Sequence, residues 1–204
     1  MVRKRGIPLL LAALVVAAGL AAAVPALAVT GPRALLVGTW AGRAGQYATI
    51  QAAVDAARPG DWVLVGPGDY RSDPSSTAGV LITTPGIHLR GMDRNGVVVD
   101  GTTGNCSPSA AAQTRGPAGA GRNGVEILRA SGVTVDNLTV CNFLDGAGGH
   151  NGNQVWFNGG DGSGRIGLGA YEASYVTATS TFYAGATAPL ALYGSSPATP
   201  TAPD

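Results

Sequence analysis

One short segment combines flat aromatic rings with charged side chains. Trp156 and Phe157 are consecutive in a β-rich run, and Asp161 and Arg165 follow shortly after it. Sugar rings present flat C–H faces that stack on aromatic rings, while polar neighbours bind hydroxyls or a carboxylate. We therefore predict a carbohydrate contact formed by Trp156, Asp161 and Arg165. Because side chains alternate along a strand, one of the two rings should instead point into the core.

Two carboxylates, Glu126 and Asp136, fall on neighbouring strand-like runs. Facing outward together, they could act as general acid and base on a glycosidic bond. The alternative is that both are ordinary solvated residues on the polar side of their strands. His88 and His150 are the only histidines, so neither a Ser–His–Asp triad nor a three-histidine zinc site can be assembled. No residue is assigned a catalytic role.

A glycine-rich run at residues 159–164, GGDGSG, could curl carbonyls and a carboxylate around Ca²⁺. Calcium takes six to eight oxygen ligands, which this kind of loop supplies only when several copies stack. A single copy is read as a turn, so calcium stays an open alternative and no cofactor is assigned.

The first 28 residues have the layout of a secretory signal peptide. Arg3, Lys4 and Arg5 precede an apolar stretch over residues 7–24, and Ala26-Leu27-Ala28 supplies a small-residue cleavage site. We predict cleavage after Ala28 and a secreted protein without membrane contact, the alternative being an uncleaved anchor. The remaining chain has ten basic and twelve acidic residues and no lysine, which argues against a nucleic-acid partner.

The two cysteines, Cys106 and Cys141, would then enter an oxidising compartment. A disulfide between them is expected there. Closing a loop of this size would stabilise the fold by about 3–4 kcal/mol in the chain-entropy model. The alternative is two separate thiols, since spacing alone does not bring two cysteines together.

The elements that must position these residues are short strands behind one helix. Apolar residues at helical spacing predict a helix over residues 49–57, capped by Thr49. The runs after it are too closely spaced for crossover helices. Residues 79–101 recur about 45 positions later, which we interpret as two solenoid turns of roughly 22 residues each. Asn137 and Asn158 have a suitable spacing to stack at bends.

These patterns predict an all-β fold, a short parallel β-helix over residues 29–183 with an N-terminal capping helix. Residues 102–122 form a long insertion, and residues 184–204 form a Pro-, Ala- and Thr-rich disordered tail. Nothing comparable to the helix covers the other end of the solenoid. We expect a monomer unless that open end self-associates.

The run at residues 47–70, YATIQAAVDAARPGDWVLVGPGDY, resembles the N-terminal cap and first turn of secreted right-handed parallel β-helix proteins. Pectin methylesterases, polysaccharide lyases and many uncharacterised bacterial β-helix repeat proteins share this opening. The resemblance covers residues 47–158 and implies a pectin-lyase-like fold and an extracellular polysaccharide or cell-surface glycan as partner. None of the catalytic motifs of those enzymes can be matched here residue by residue.

Three functions stay open from the sequence. The first is a protein that binds or acts on an extracellular polysaccharide, as a lyase or as a carbohydrate esterase or hydrolase if it is active. The second is a non-catalytic surface module built on the repeat scaffold. The third is an incomplete, inactive fragment of a longer β-helix protein.

Overall fold

The computed structural model describes residues 31–71, 76–101, 106, 121–143, 152–159, 169–179 and 190–193. The predicted signal peptide, most of the insertion at residues 102–122 and most of the predicted tail lie outside these residues. Residues 190–193, inside the tail predicted to be disordered, form a strand of the solenoid. None of the described helices is long and apolar enough to cross a membrane.

Short strands succeed one another in groups of three. The chain begins with β1 (Ala34–Val37), a hairpin of β2 (Thr39–Trp40) and β3 (Arg43–Ala44), and helix α1 (Ile50–Ala56). A first turn contains β4 (Trp62–Val65), β5 (Gly68–Arg71) and β6 (Ala78–Ile82). A second contains β7 (His88–Gly91), β8 (Val97–Asp100) and β9 (Asn123–Leu128). A third contains β10 (Thr134–Asp136), β11 (Thr139–Cys141) and β12 (Val155–Asn158). The last contains β13 (Glu172–Ser174), β14 (Thr177–Thr179) and β15 (Leu190–Tyr193).

Corresponding strands of successive turns pair in parallel and form three sheets. Sheet A has the order β1-β4-β7-β10-β13, sheet B the order β5-β8-β11-β14, and sheet C the order β6-β9-β12-β15. Each strand therefore lies on the equivalent strand of the turn before it. This is a parallel β-helix with an N-terminal helix, as the sequence predicted.

The repeat spacing of about 45 residues corresponds to one turn. Val80 pairs directly with Val125, and His88 with Thr134, so the two copies lie on adjacent turns. The prediction of two turns of roughly 22 residues within this spacing is wrong. The long insertion at residues 102–122 lies inside that single turn and lengthens it, which a count of repeat positions does not reveal.

The core consists of the inward-facing residues of all three sheets together with the apolar face of α1. Alternation places small and branched apolar side chains inward at equivalent positions of successive turns. In sheet C these are Val80, Val125 and Val155, followed two positions later by Ile82, Ile127 and Phe157. All six are buried.

Helix α1 has the predicted position and cap. The hydroxyl of Thr49 accepts a hydrogen bond from the backbone N–H of Ala52 at 3.2 Å. Its buried residues Ile50, Ala53 and Val54 pack against β1, β4 and β6. So short a helix is marginal alone, and its stability comes from this packing.

Left-handed backbone marks the corner before each strand of sheet A from β4 onward. Gly60, Gly86, Gly132 and Ala170 each stand two residues before such a strand, with φ of 88°, 69°, 70° and 58°. Glycine adopts this conformation without a Cβ penalty, which explains three of the four residues.

Asparagine has the predicted role at one bend. Asn137, with φ of 56°, donates from Nδ2 to the carbonyl of Gly91 on the turn beneath at 2.8 Å. The predicted stack with Asn158 is wrong, because Asn158 belongs to a strand of sheet C and Asn137 follows a strand of sheet A.

The predicted disulfide between Cys106 and Cys141 is confirmed, with an S–S distance of 2.05 Å. Cys141 ends β11 in sheet B, and Cys106 lies within the insertion. The bond therefore ties the insertion to the solenoid.

Candidate functional site

The outer face of sheet C carries a polar group beside an aromatic ring. Leu81, Glu126 and Trp156 occupy one register position on β6, β9 and β12. Their neighbours on either side along each strand point into the core, so these three side chains point outward. Residues in such a register on adjacent strands are about 5 Å apart, which puts Glu126 next to Trp156.

Two amide groups hold the carboxylate of Glu126. Asn123 Nδ2 donates to Oε2 at 2.9 Å, and Asn158 Nδ2 donates to Oε1 at 3.0 Å. Glu126 is only 7% exposed although it lies outside the hydrophobic core. No ion pair between Glu126 and a cation is found within the described part of the chain. Its orientation is therefore set by neutral donors.

A third asparagine, Asn153, adds a further contact between these two turns. The backbone N–H and Nδ2 of Asn153 both donate to Asn123 Oδ1, at 3.2 and 3.1 Å. Asn153 is 2% exposed, and its own Oδ1 accepts no hydrogen bond from any described residue. A buried acceptor without a donor is rare in proteins, so this oxygen is an exception to the otherwise paired polar groups of the cluster.

Fully buried residues fix the start of these strands. Gln154 accepts from the backbone N–H of Phe143 and donates to its carbonyl, both at 3.0 Å. Arg122 donates from Nε to the carbonyl of Ser76 at 2.8 Å, and its guanidinium lies 5.6 Å from the centre of the Phe143 ring. The starts of β9 and β12, the strands that carry the polar cluster at Glu126, are therefore held in place by buried hydrogen bonds.

The predicted pairing of Glu126 with Asp136 is wrong. Asp136 lies on sheet A, where it forms an ion pair with Arg90 and accepts from Ser174 Oγ at 3.0 Å. Glu126 lies on sheet C with different partners. The alternative, that both are solvated, is also wrong because both side chains are buried. The turn between β9 and β10 takes the chain from sheet C to sheet A. Glu126 and Asp136 are therefore only ten residues apart in sequence but lie on different faces of the solenoid.

Of the three residues predicted to contact a carbohydrate, the structure describes Trp156. Trp156 lies on the outer face of sheet C and is partly buried. Phe157 points inward, is 1% exposed and stacks on Tyr171 with ring centres 5.0 Å apart, so the expected alternation is confirmed. Asp161 and Arg165 lie outside the described residues, as does most of the glycine-rich run considered for calcium. The contact formed by all three residues stays a prediction.

His88 is an outward residue of sheet A, as its alternation indicated. Its ring stacks on Trp62 with centres 4.4 Å apart, and Nδ1 lies 2.9 Å from the hydroxyl of Thr134. His150 lies outside the described residues.

One group of potential metal ligands occurs in the described residues. A carboxylate oxygen of Asp100 and the sulfurs of Cys106 and Cys141 lie within 4.8 Å of one another. Because the sulfurs are joined as a disulfide, they are not thiolate ligands. Asp100 instead accepts from the backbone N–H of Cys106 at 3.0 Å and so helps to hold the disulfide in place.

Neither a protein-family model nor a curated protein matches the chain. Among solved structures it is similar to two complexes of pectin methylesterase with a hexasaccharide, one of them a point mutant. The mutant complex is 24% identical with a TM-score of 0.37, and the other is 23% identical with a TM-score of 0.37. Each similarity covers 53% of this chain and 30% of the other, so the chain spans less than a third of these structures.

Proposed function

We propose that this protein binds a polysaccharide outside the cell and that the outer face of sheet C is the contact surface. The observation that carries this proposal is the position of Trp156 beside Glu126, whose carboxylate is oriented by two amides. An aromatic ring next to a fixed acceptor matches the two sides of a sugar, an apolar C–H face and a rim of hydroxyl groups.

The carboxylate has capacity for a ligand. An ionised carboxylate offers about four acceptor positions, and the amides of Asn123 and Asn158 occupy two of them. The remaining positions can accept hydrogen bonds from sugar hydroxyls. Asp161 and Arg165, which follow β12 in the sequence, are proposed to complete the contact.

Binding is favoured over catalysis because the carboxylates of the described residues do not form a pair on this face. General acid and base catalysis of glycoside hydrolysis needs two carboxyl groups flanking one bond. Here Asp136 lies on another sheet and Glu126 is the carboxylate beside Trp156. An esterase or lyase activity is the competing function, and assays for turnover separate it from binding.

The extracellular location is proposed from the signal-like N-terminus and agrees with the disulfide. Expression in a secreting host and N-terminal sequencing of the exported protein should give a mature chain that begins at Val29. Recovery of the full-length chain in the membrane fraction would instead support the uncleaved anchor.

The binding test is affinity electrophoresis in gels containing pectate, pectin or alginate. Trp156→Ala should weaken retention by at least about tenfold, the loss that one well-placed aromatic contact commonly causes. Trp62→Ala is the matched control, since Trp62 is a partly exposed tryptophan on sheet A and should leave retention unchanged. Equal effects of the two changes, or no retention of the wild type, would refute the proposed surface.

Turnover is measured on the same polymers by the absorbance of unsaturated products and by released methanol, with and without calcium. Retention without product is expected. Product formation that Trp156→Ala abolishes would replace the binding function by an enzymatic one at the same surface.

A further inference from the structure

A second surface with the features of a ligand site lies away from sheet C. It is a shallow, open groove of about 590 Å³ at the corner between sheets A and B. Its principal lining residues are Trp40, Asp93, Arg94, Asn95, Asn137 and Tyr175. This Trp40–Tyr175 groove shares no residue with the cluster around Glu126.

Exposed aromatic rings concentrate in this groove. Three large hydrophobic side chains are exposed in the described parts of the chain: Trp40 at 37%, Trp62 at 38% and Tyr175 at 73%. Two of them line the Trp40–Tyr175 groove. Exposed aromatics that gather in one groove with polar neighbours are typical of binding sites.

The backbone of Tyr175 is strained. Its ring is mostly exposed, so packing of the ring in the core does not compensate for that strain. Its φ of 52° is in the left-handed region, which is unfavourable for a bulky residue. Asn137 has the equivalent place on the turn beneath and a similar φ of 56°, but asparagine tolerates this conformation. A mostly exposed tyrosine at this position therefore lowers stability, and such positions cluster at functional sites.

The floor of the groove is held by hydrogen bonds. Asp93 Oδ1 accepts from the backbone N–H of Asn95 at 3.0 Å, and the carbonyl of Asp93 accepts from the N–H of Val97 at 2.8 Å. Thr139, one turn away, donates from its hydroxyl to the carbonyl of Arg94 at 2.8 Å. The backbone of this turn and the side chain of Asp93 are therefore preorganised, which reduces the entropy lost on binding.

Trp40 is presented by the hairpin of β2 and β3. Residues Ala41 and Gly42 form its two-residue turn, with φ of 48° and 75°. Positive φ at both central residues is the geometry that favours tight hairpins. The hairpin therefore holds Trp40 outside the solenoid at one side of the groove.

The groove runs along the solenoid. Arg94 belongs to the second turn, Asn137 to the third and Tyr175 to the fourth. Adjacent turns are separated by about 4.8 Å, so these residues span about 10 Å. Asp93 and Arg94 carry opposite charges and leave the groove without net charge. An extended, uncharged ligand with flat apolar faces and many hydroxyl groups fits this surface.

We propose that the Trp40–Tyr175 groove is a second binding site, specific for a neutral polysaccharide. Sugar rings stack on Trp40 and Tyr175, and the side chains of Asn95 and Asn137 bind hydroxyl groups between them. Because the groove and the surface at Trp156 are separate, either site can be present without the other.

The test compares Tyr175→Gly, Trp40→Ala and Trp156→Ala in affinity electrophoresis with xylan and hydroxyethylcellulose as neutral polymers and polygalacturonate as the charged one. Tyr175→Gly and Trp40→Ala should each weaken retention by the neutral polymers at least about tenfold. Trp156→Ala should leave that retention within about twofold of wild type, and the two groove variants should leave any retention by polygalacturonate unchanged.

Tyr175→Gly is the decisive variant because glycine relieves the left-handed strain. Its thermal unfolding midpoint should not fall below that of wild type, so lost retention cannot be ascribed to misfolding. Unchanged retention of Tyr175→Gly by both neutral polymers, or no wild-type retention by either, overturns the second site. Neither result bears on the Trp156 surface, which has its own tryptophan control.

Discussion

The side chain of Gln51 hydrogen-bonds both backbone groups of Leu81. The N–H of Leu81 donates to Gln51 Oε1 at 2.8 Å, and Gln51 Nε2 donates to the Leu81 carbonyl at 3.0 Å. Leu81 belongs to β6, the edge strand of sheet C nearest the N-terminus. The side-chain amide of Gln51 thus takes the place of a further strand at this edge. Helix α1 therefore satisfies polar groups of the sheet edge as well as covering the core.

Replacement of Gln51 should therefore destabilise the fold. Gln51→Ala leaves a donor and an acceptor of Leu81 without these partners, and a loss of about 1–3 kcal/mol in the free energy of unfolding is expected. Gln46→Ala is the matched control, because Gln46 Oε1 accepts from Leu36 N–H at an exposed site where water can replace it. Urea unfolding measures both, and equal losses would contradict a special role for Gln51.

The left-handed corner at Ala170 is expected to respond to glycine. Gly60, Gly86 and Gly132 occupy the same corner of earlier turns, whereas Ala170 has a φ of 58° with a Cβ. A left-handed residue other than glycine costs about 1–2 kcal/mol, partly offset by the greater chain entropy of glycine when unfolded.

Ala170→Gly should consequently raise the free energy of unfolding by about 0.5–1 kcal/mol. The reverse change, Gly132→Ala, should lower it by a similar amount. A Cβ at Gly132 would meet nothing closer than 3.7 Å, so that change tests the backbone alone. Chemical denaturation of both variants checks this, and a destabilised Ala170→Gly would contradict it.

The fold was predictable because its signals are local. Alternating apolar residues revealed the strands, and the spacing of Ile50, Ala53 and Val54 revealed the helix and its buried face. The number of residues in one solenoid turn was not predictable, because an insertion between β8 and β9 leaves the apolar pattern of each strand unchanged. The glycines two residues before sheet A were a further local signal, and they could have shown that each recurrence is one turn.

The candidate site was predictable only in part. Alternation put Trp156 outside and Phe157 inside, because neighbours on a strand have opposite directions. The bond between Asn153 and Asn123 joins residues 30 positions apart on different turns, which no local pattern encodes. The error over Glu126 and Asp136 has the same origin, since a change of sheet between two strands cannot be seen from their composition.

Loss of the disulfide should lower stability more than any single change above. The bond between Cys106 and Cys141 closes a loop over a sequence separation of 35, and the chain-entropy model gives about 3–4 kcal/mol for such a loop. The double variant Cys106→Ser, Cys141→Ser should show this loss in urea unfolding. Reductant should lower the free energy of unfolding of the wild type but not that of the variant. A wild type insensitive to reductant in the unfolding transition would contradict the prediction.

Acid should weaken the fold through Asp61. The hydrogen bond from the Arg33 guanidinium, supported by backbone N–H groups of Arg33 and Arg58, lowers the pKa of Asp61 to about 2 against the opposing effect of burial. A carboxyl whose pKa is lower in the folded state binds more protons when unfolded. The contribution of Asp61 to the free energy of unfolding is therefore complete above the unfolded pKa near 4. It is lost as the pH falls from there through 2.

The variant Asp61→Asn should lack this component of the acid dependence, so its free energy of unfolding should differ most from wild type above pH 4 and converge with it towards pH 2. Asp69→Asn is the control, because Asp69 pairs with Arg71 between exposed side chains on one strand, where such a bridge contributes little. Urea unfolding from pH 2 to 6 measures all three proteins. Parallel profiles for wild type and Asp61→Asn would show that the Arg33–Asp61 pair has no part in acid stability.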